Sequence, residues 1–89
     1  MEYLSLLQEA IKESTGERTA AHINGVLLPS ILMDFQKMLL SAKPGQLISE
    51  VYKLDDGTLD IHLFGTKEPT TNIPTVTKVC LNERLIFQK

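Results

Sequence analysis

Apolar positions in the first half of the chain recur at helical spacing, and beyond Gly45 they change to alternation. Between Glu2 and Ser14, Leu4, Leu7 and Ile11 fall on one helical face. Tyr3, Leu6 and Ala10 widen that face, and Glu2, Gln8, Glu9, Lys12 and Glu13 lie elsewhere. The spacing predicts a helix over residues 2–15, closed by Gly16 in the left-handed conformation. From Glu17 to Val26 the pattern leaves a short helix, a short strand and a packed loop all open. Asn24-Gly25 reads as a turn, and Pro29 suits the first turn of a new helix, where its missing N–H costs nothing. Leu28, Leu32, Phe35, Leu39 and Ala42 then follow at i, i+4, i+7, i+11 and i+14, flanked by Ile31 and Met38, and predict a helix over residues 29–43. Asp34, Gln36, Lys37 and Ser41 form its wet face, and Lys43-Pro44-Gly45 ends it.

Residues 46–64 read as a β-hairpin. A type I′ turn centred on Asp56-Gly57 opposes Leu54 to Leu59, Lys53 to Asp60, Tyr52 to Ile61 and Val51 to His62. This register collects Ile48, Tyr52, Leu54, Leu59, Ile61 and Leu63 on one face, with Glu50 as its awkward member. Residues 65–75, with Pro69, Pro74 and Thr70-Thr71-Asn72, read as a loop. A second hairpin over residues 76–88, turning at Asn82-Glu83, opposes Cys80 to Leu85 and Val79 to Ile86. Its faces, Cys80/Leu85/Phe87 and Val79/Leu81/Ile86, are almost equally apolar, so it is either covered on both sides or presents one face to a partner. The order helix, helix, hairpin, hairpin describes one α+β domain over residues 1–89. It is a two-layer sandwich of two N-terminal helices on an antiparallel sheet of two consecutive β-hairpins.

Composition narrows the class further. With 89 residues, 43% hydrophobic and 22% charged, the chain supports one hydrophobic core and lies outside the disordered range. A net charge of −2 and a pI near 5.6 provide no general electrostatic hold on nucleic acid or anionic lipid. Cys80 is the only cysteine, so no internal disulfide forms and a reducing, cytoplasmic compartment is expected. The N-terminus lacks a basic segment before its apolar residues, which argues against a secretory signal. The uninterrupted apolar runs Val26–Leu28 and Ile31–Met33 are far shorter than the roughly 20 residues of a membrane-spanning helix, so no membrane is expected. A domain this small buries only about 60% of its unfolded-chain surface, which makes stabilisation by a second copy physically reasonable.

Candidate chemistry is sparse. His22, His62, Cys80 and the scattered carboxylates lack metal-ligand spacing, although Asp60 and His62 share a strand face. Cys80 lies among Val76, Val79 and Leu81, the setting of a small buried hydrophobe rather than a thiolate nucleophile. Glu50, Asp55, Asp56 and Asp60 are explained by turn chemistry and by the Lys53–Asp60 pair. Serines lack a nucleophile-elbow context, and the glycines are too isolated to cradle phosphate. Ala21, Gly25, Val26 and Ile31 fit the framework of a helix-turn-helix, but the helix meant to read DNA is almost wholly apolar. Lys78, Arg84 and Lys89 on the second hairpin are the one basic group available for nucleic acid, a disfavoured alternative.

What remains is surplus apolar surface on the second helix and the second hairpin, together with a chain short of room for a substrate cavity of several hundred Å³. The sequence therefore points to a non-enzymatic protein–protein interaction or assembly module (adaptor, inhibitor or small subunit) that needs no cofactor or metal. A homodimer or another protein partner would be held through Ile31, Phe35, Met38, Leu85 and Phe87.

Overall fold

The computed structural model describes residues 2–89. Helix α1 spans Glu2–Thr15, α2 Glu17–His22 and α3 Leu28–Ser41, with a π-helical turn at Ile23–Leu27 between the last two. Strands β1 (Leu47–Leu54), β2 (Leu59–Lys67), β3 (Pro74–Leu81) and β4 (Arg84–Gln88) form one antiparallel sheet in the order β1-β2-β3-β4. Helices α1 and α3 pack on the sheet, α1 towards β3 and β4 and α3 across β1, β2 and β3, which makes the molecule an α+β two-layer sandwich.

Helix α1 ends as its sequence suggests. Gly16 takes φ +86°, its N–H donates to the Lys12 carbonyl at 2.9 Å, and the Thr15 hydroxyl donates to the Ile11 carbonyl at 2.8 Å. The second helical region departs from expectation. It runs without interruption from Glu17 to Ser41, and Asn24-Gly25 sits inside it rather than in a turn. Pro29 accounts for the local geometry. In a regular helix its ring would meet the carbonyl four residues back, that of Gly25. The π-helical turn just before it widens the helix, with the Leu28 N–H reaching back to the Ile23 carbonyl, so the chain accommodates proline without breaking. The helix stops at Ser41, two residues before the expected end, because Ala42 turns to an extended conformation with ψ 160°.

The sheet confirms the first hairpin's register and corrects its turn. Leu54 opposes Leu59, Lys53 opposes Asp60, Tyr52 opposes Ile61 and Val51 opposes His62. Left-handed backbone extends over Asp55, Asp56 and Gly57 (φ 53°, 54° and 83°), so the turn begins one residue earlier than a pair centred on Asp56-Gly57. Thr58 locks it, donating its hydroxyl to the Asp55 carbonyl at 2.6 Å.

Two further departures lie in the second half. Much of residues 65–75 is strand, since Gly65 pairs with Val76, Thr66 with Thr75 and Lys67 with Pro74. Pro74 is tolerated because it is the first residue of its strand. In the second hairpin Cys80 opposes Leu85, but a bulge between Val79 and Cys80 sets Val79 against Phe87 rather than Ile86. One extra residue on β4 moves Phe87 from the Cys80 face to the core face, where its ring lies 5.9 Å from that of Tyr3.

The core is built between the layers from Leu7, Ala10 and Ile11 of α1, Ala20 and Ile23, Leu28, Ile31, Phe35 and Leu39 of α3, and Leu59, Ile61, Leu63, Val79 and Leu81 of the sheet. The layers approach closely at Gly65. A Cβ there would lie 2.7 Å from the Thr75 carbonyl oxygen and about 3 Å from the Leu39 and Phe35 side chains.

Candidate interaction surface

All three helices lie on one side of the sheet, and alternation along the strands decides what the other side carries. Residues 59, 61 and 63 of β2 are buried in the core while Asp60, His62 and Phe64 point outward. Register then extends each outward residue across the sheet. Val51, His62, Cys80 and Leu85 are successive cross-strand partners and form one row from edge to edge. Ser49, Phe64, Lys78 and Gln88 form the next row, and Lys53 with Asp60 begins a third that ends near Asn82, whose side-chain oxygen accepts the Asp60 N–H at 2.8 Å. Among the described residues, no helix covers these rows. Val51 and Leu85, at opposite edges, are 43% and 52% exposed, and Leu47 further along β1 is 71% exposed.

The centre of this face is ordered by side-chain stacking. The His62 and Phe64 rings stack with centroids 4.0 Å apart, and the Lys78 ammonium sits 5.0 Å above the Phe64 ring centroid. Lys53 and Asp60 pair at 3.3 Å. Between them and the hairpin tip lies an open depression of about 500 Å³ lined by Val51, Lys53, Asp60, His62, Cys80 and Glu83. Glu83 reaches this rim from a left-handed backbone position, φ 67°, which a residue with a Cβ adopts at a cost.

The helical side has its own concavities. A hollow of about 240 Å³ between α3, Tyr3 and the start of β3 and a groove of about 330 Å³ between α1 and the second helical region share Tyr3, Leu32 and Gln36. Surface hollows of several hundred Å³ are therefore present on a chain expected to have little room for them. Asn24 of the π-helical turn lines the larger groove. Its amide donates to the Gln8 carbonyl at 3.3 Å and its side-chain oxygen is buried without a partner. Burial holds the Tyr3 phenol in its neutral form, raising its pKa. The Tyr52 phenol is raised well above the usual tyrosine range, first by burial and then by its 2.7 Å hydrogen bond to the Asp34 carboxylate and the charges of Asp34 and Glu50.

Of the residues expected to form an interface, Ile31 and Phe35 are 8% and 1% exposed and belong to the core, so they have almost no surface to offer a partner. Met38 and Phe87 are half-buried against that core. Leu85 alone is substantially exposed, on the uncovered face. The large apolar helical residues that do reach solvent are Leu6 of α1 and, along the second helical region, Val26, Met33 and Leu40, seven residues apart on one stripe. The basic residues do not converge. Lys78 lies mid-sheet over Phe64, Arg84 opposes Leu81 at the hairpin tip, and Lys89 pairs with Thr77 at the far end. His22 lies in the helical layer and His62 on the opposite side of the sheet, so the two histidines share no pocket. Among the described residues, no three His, Cys, Asp or Glu side chains converge as a metal-binding set.

No family model, curated protein or solved structure matches this chain. The signal that locates the uncovered face was present in the strands as alternation. Only the position of the helices decided which of the two apolar faces they would leave open.

The runs Val26–Leu28 and Ile31–Met33 are short, but they belong to one helix, Glu17–Ser41, 25 residues long with a mean hydropathy of 1.2 over 18 of them, enough by length and composition to span a bilayer. One side of it is committed to the sheet through Leu28, Ile31, Phe35 and Leu39.

Proposed function

We propose that this chain is a protein–protein interaction or assembly module, an adaptor, inhibitor or small subunit with no catalytic role, working in the reducing cytoplasm. One observation carries the reading: a four-stranded sheet covered by helices on one side and, on the other, crossed from edge to edge by Val51, His62, Cys80 and Leu85 with Phe64 beside them. Contiguous apolar and aromatic surface on a small domain is where partners dock, because covering it removes apolar area from water without rearranging the core. The polar residues there are engaged with neighbours rather than converged on a reaction centre, since Lys53 is paired with Asp60 and Lys78 is held over Phe64.

The stacked Phe64 and His62 rings beside Lys78 also favour a second reading, single-stranded nucleic acid laid across an open sheet. Against it, the 43–89 half carries Lys43, Lys53, Lys67, Lys78, Arg84 and Lys89 against Glu50, Asp55, Asp56, Asp60, Glu68 and Glu83, which leaves no excess of positive charge.

Light scattering coupled to size-exclusion chromatography, over a range of concentration and salt, tests the choice. A mass above that of one chain, insensitive to salt, supports assembly through apolar surface. A monomer that binds an oligonucleotide with steeply salt-dependent affinity replaces this reading with the second.

A further inference from the structure

Resting on the assembly reading, we infer that the partner on the uncovered face is a second copy of this chain, packed sheet to sheet about a two-fold axis that runs along the strands between β2 and β3. Such an axis reverses strand order and keeps position along the strands, so β1 of one copy lies over β4 of the other and β2 over β3. The observed registers then make the face self-complementary. Val51 meets Leu85 of the second copy, His62 meets Cys80, Phe64 meets Lys78 and Ser49 meets Gln88. Lys53 comes to lie opposite Glu83, the acidic residue that lines the same depression from the hairpin tip. Apolar meets apolar at both edges, a cation meets an aromatic ring near the centre, and opposite charges meet at the rim.

A two-fold axis across the strands fails this test. Centred on the Val51 row, it sets the Asp60 carboxylate against Phe64, and centred between rows it sets Lys78 against Cys80. Area also suffices. Strands of eight, nine, eight and five residues, at roughly 4.8 Å spacing and 3.4 Å rise, present about 500 Å² of surface per copy. Two copies then bury about 1,000 Å², the area at which an interface separates from chance contacts.

The test uses the full chain and two exposed positions whose side chains lie outside the core, Val51 and Leu85. The unaltered protein is expected to sediment as a dimer. Val51→Lys and Leu85→Glu each bury two unpaired charges per dimer, so each weakens dimerisation about a hundredfold and sediments as a monomer with an unchanged far-ultraviolet circular dichroism spectrum. Mixing the two variants restores a dimer to within about tenfold of the original affinity, because one symmetry-related contact then sets the introduced lysine against the introduced glutamate and the other remains Val51 on Leu85. A monomeric unaltered protein at high micromolar concentration overturns both the dimer and the self-assembly reading. A dimer indifferent to Val51→Lys and Leu85→Glu but split by Met33→Glu overturns this inference and leaves the assembly reading standing on the helical stripe. Monomeric single variants that fail to associate when mixed overturn the axis.

Discussion

Tyr52 shows how one side chain joins the two layers. It stands on the core face of β1, and its hydroxyl reaches across to the carboxylate of Asp34 on α3 at 2.7 Å, passing the Met38 sulfur at 4.0 Å. Partial burial holds the phenol neutral, and donation to the Asp34 carboxylate adds to the effect, so its pKa is raised in the folded chain. The linkage has a definite sign. Stabilisation from the neutral phenol is fully present below the unfolded-chain value of about 10, and it is lost as pH rises from there through the raised folded value. Urea unfolding followed from pH 8 to 11 should show stability falling above about pH 10. Tyr52→Phe should cost about 1 kcal/mol at neutral pH, since the bond lies at the surface, and should flatten that alkaline decline. It should not abolish the decline, because the raised Tyr3 phenol contributes with the same sign.

At the scale of elements, the decisive contact is α3 on the sheet. Phe35 and Leu39 lie directly over Gly65, the point where the β2–β3 register shifts between Phe64 and Gly65. Hydrogen there in place of a methyl group lets the helix approach the strands closely. Gly65→Ala would place a Cβ 2.7 Å from the Thr75 carbonyl oxygen, a backbone atom that cannot rotate away. The expected cost is about 1–3 kcal/mol of overpacking, read as a lower denaturation midpoint with an unchanged m-value. The bulge in β4 acts on packing in another way. By shifting pairing so that Phe87 opposes Val79, it brings an aromatic ring onto the core face against Tyr3 of α1 and leaves Leu85 opposite Cys80 on the open face.

For the molecule as a whole, the two-layer plan leaves a balance to settle. Core residues come from the facing sides of helix and sheet, and the described residues form no third layer over the outer rows of the strands. Self-association through those rows would couple assembly to folding, because a dimer interface binds only the native chain. The thermal midpoint should then rise with protein concentration. Differential scanning calorimetry over a hundredfold range of concentration checks this: a constant midpoint is the signature of a monomer, and a rising one that becomes constant in Val51→Lys places the coupling on the sheet.

The sequence by itself determined those features that depend on neighbours in the chain. Period 3.6 marked α1 and α3, period 2 marked the strands, and the left-handed Gly16 and the Leu54–Leu59 register followed from local turn chemistry and from the need to put one apolar set on one face. The α+β class followed from the order of those elements. Tertiary structure decided the rest, wherever a local preference met a longer-range demand. Asn24-Gly25 favours a turn in isolation, yet the burial of Ile23 and Leu28 on either side keeps it helical, with the π-helical turn absorbing Pro29. Residues 65–67 and 74–75 lack strand patterning, and they pair because β2 and β3 already run alongside one another. The apolar faces of the second hairpin were legible as two equals. Only the placement of α1 and α3, which buries Val79 and Leu81 and leaves Cys80 and Leu85 outside, determined which of them would be free to meet a second molecule.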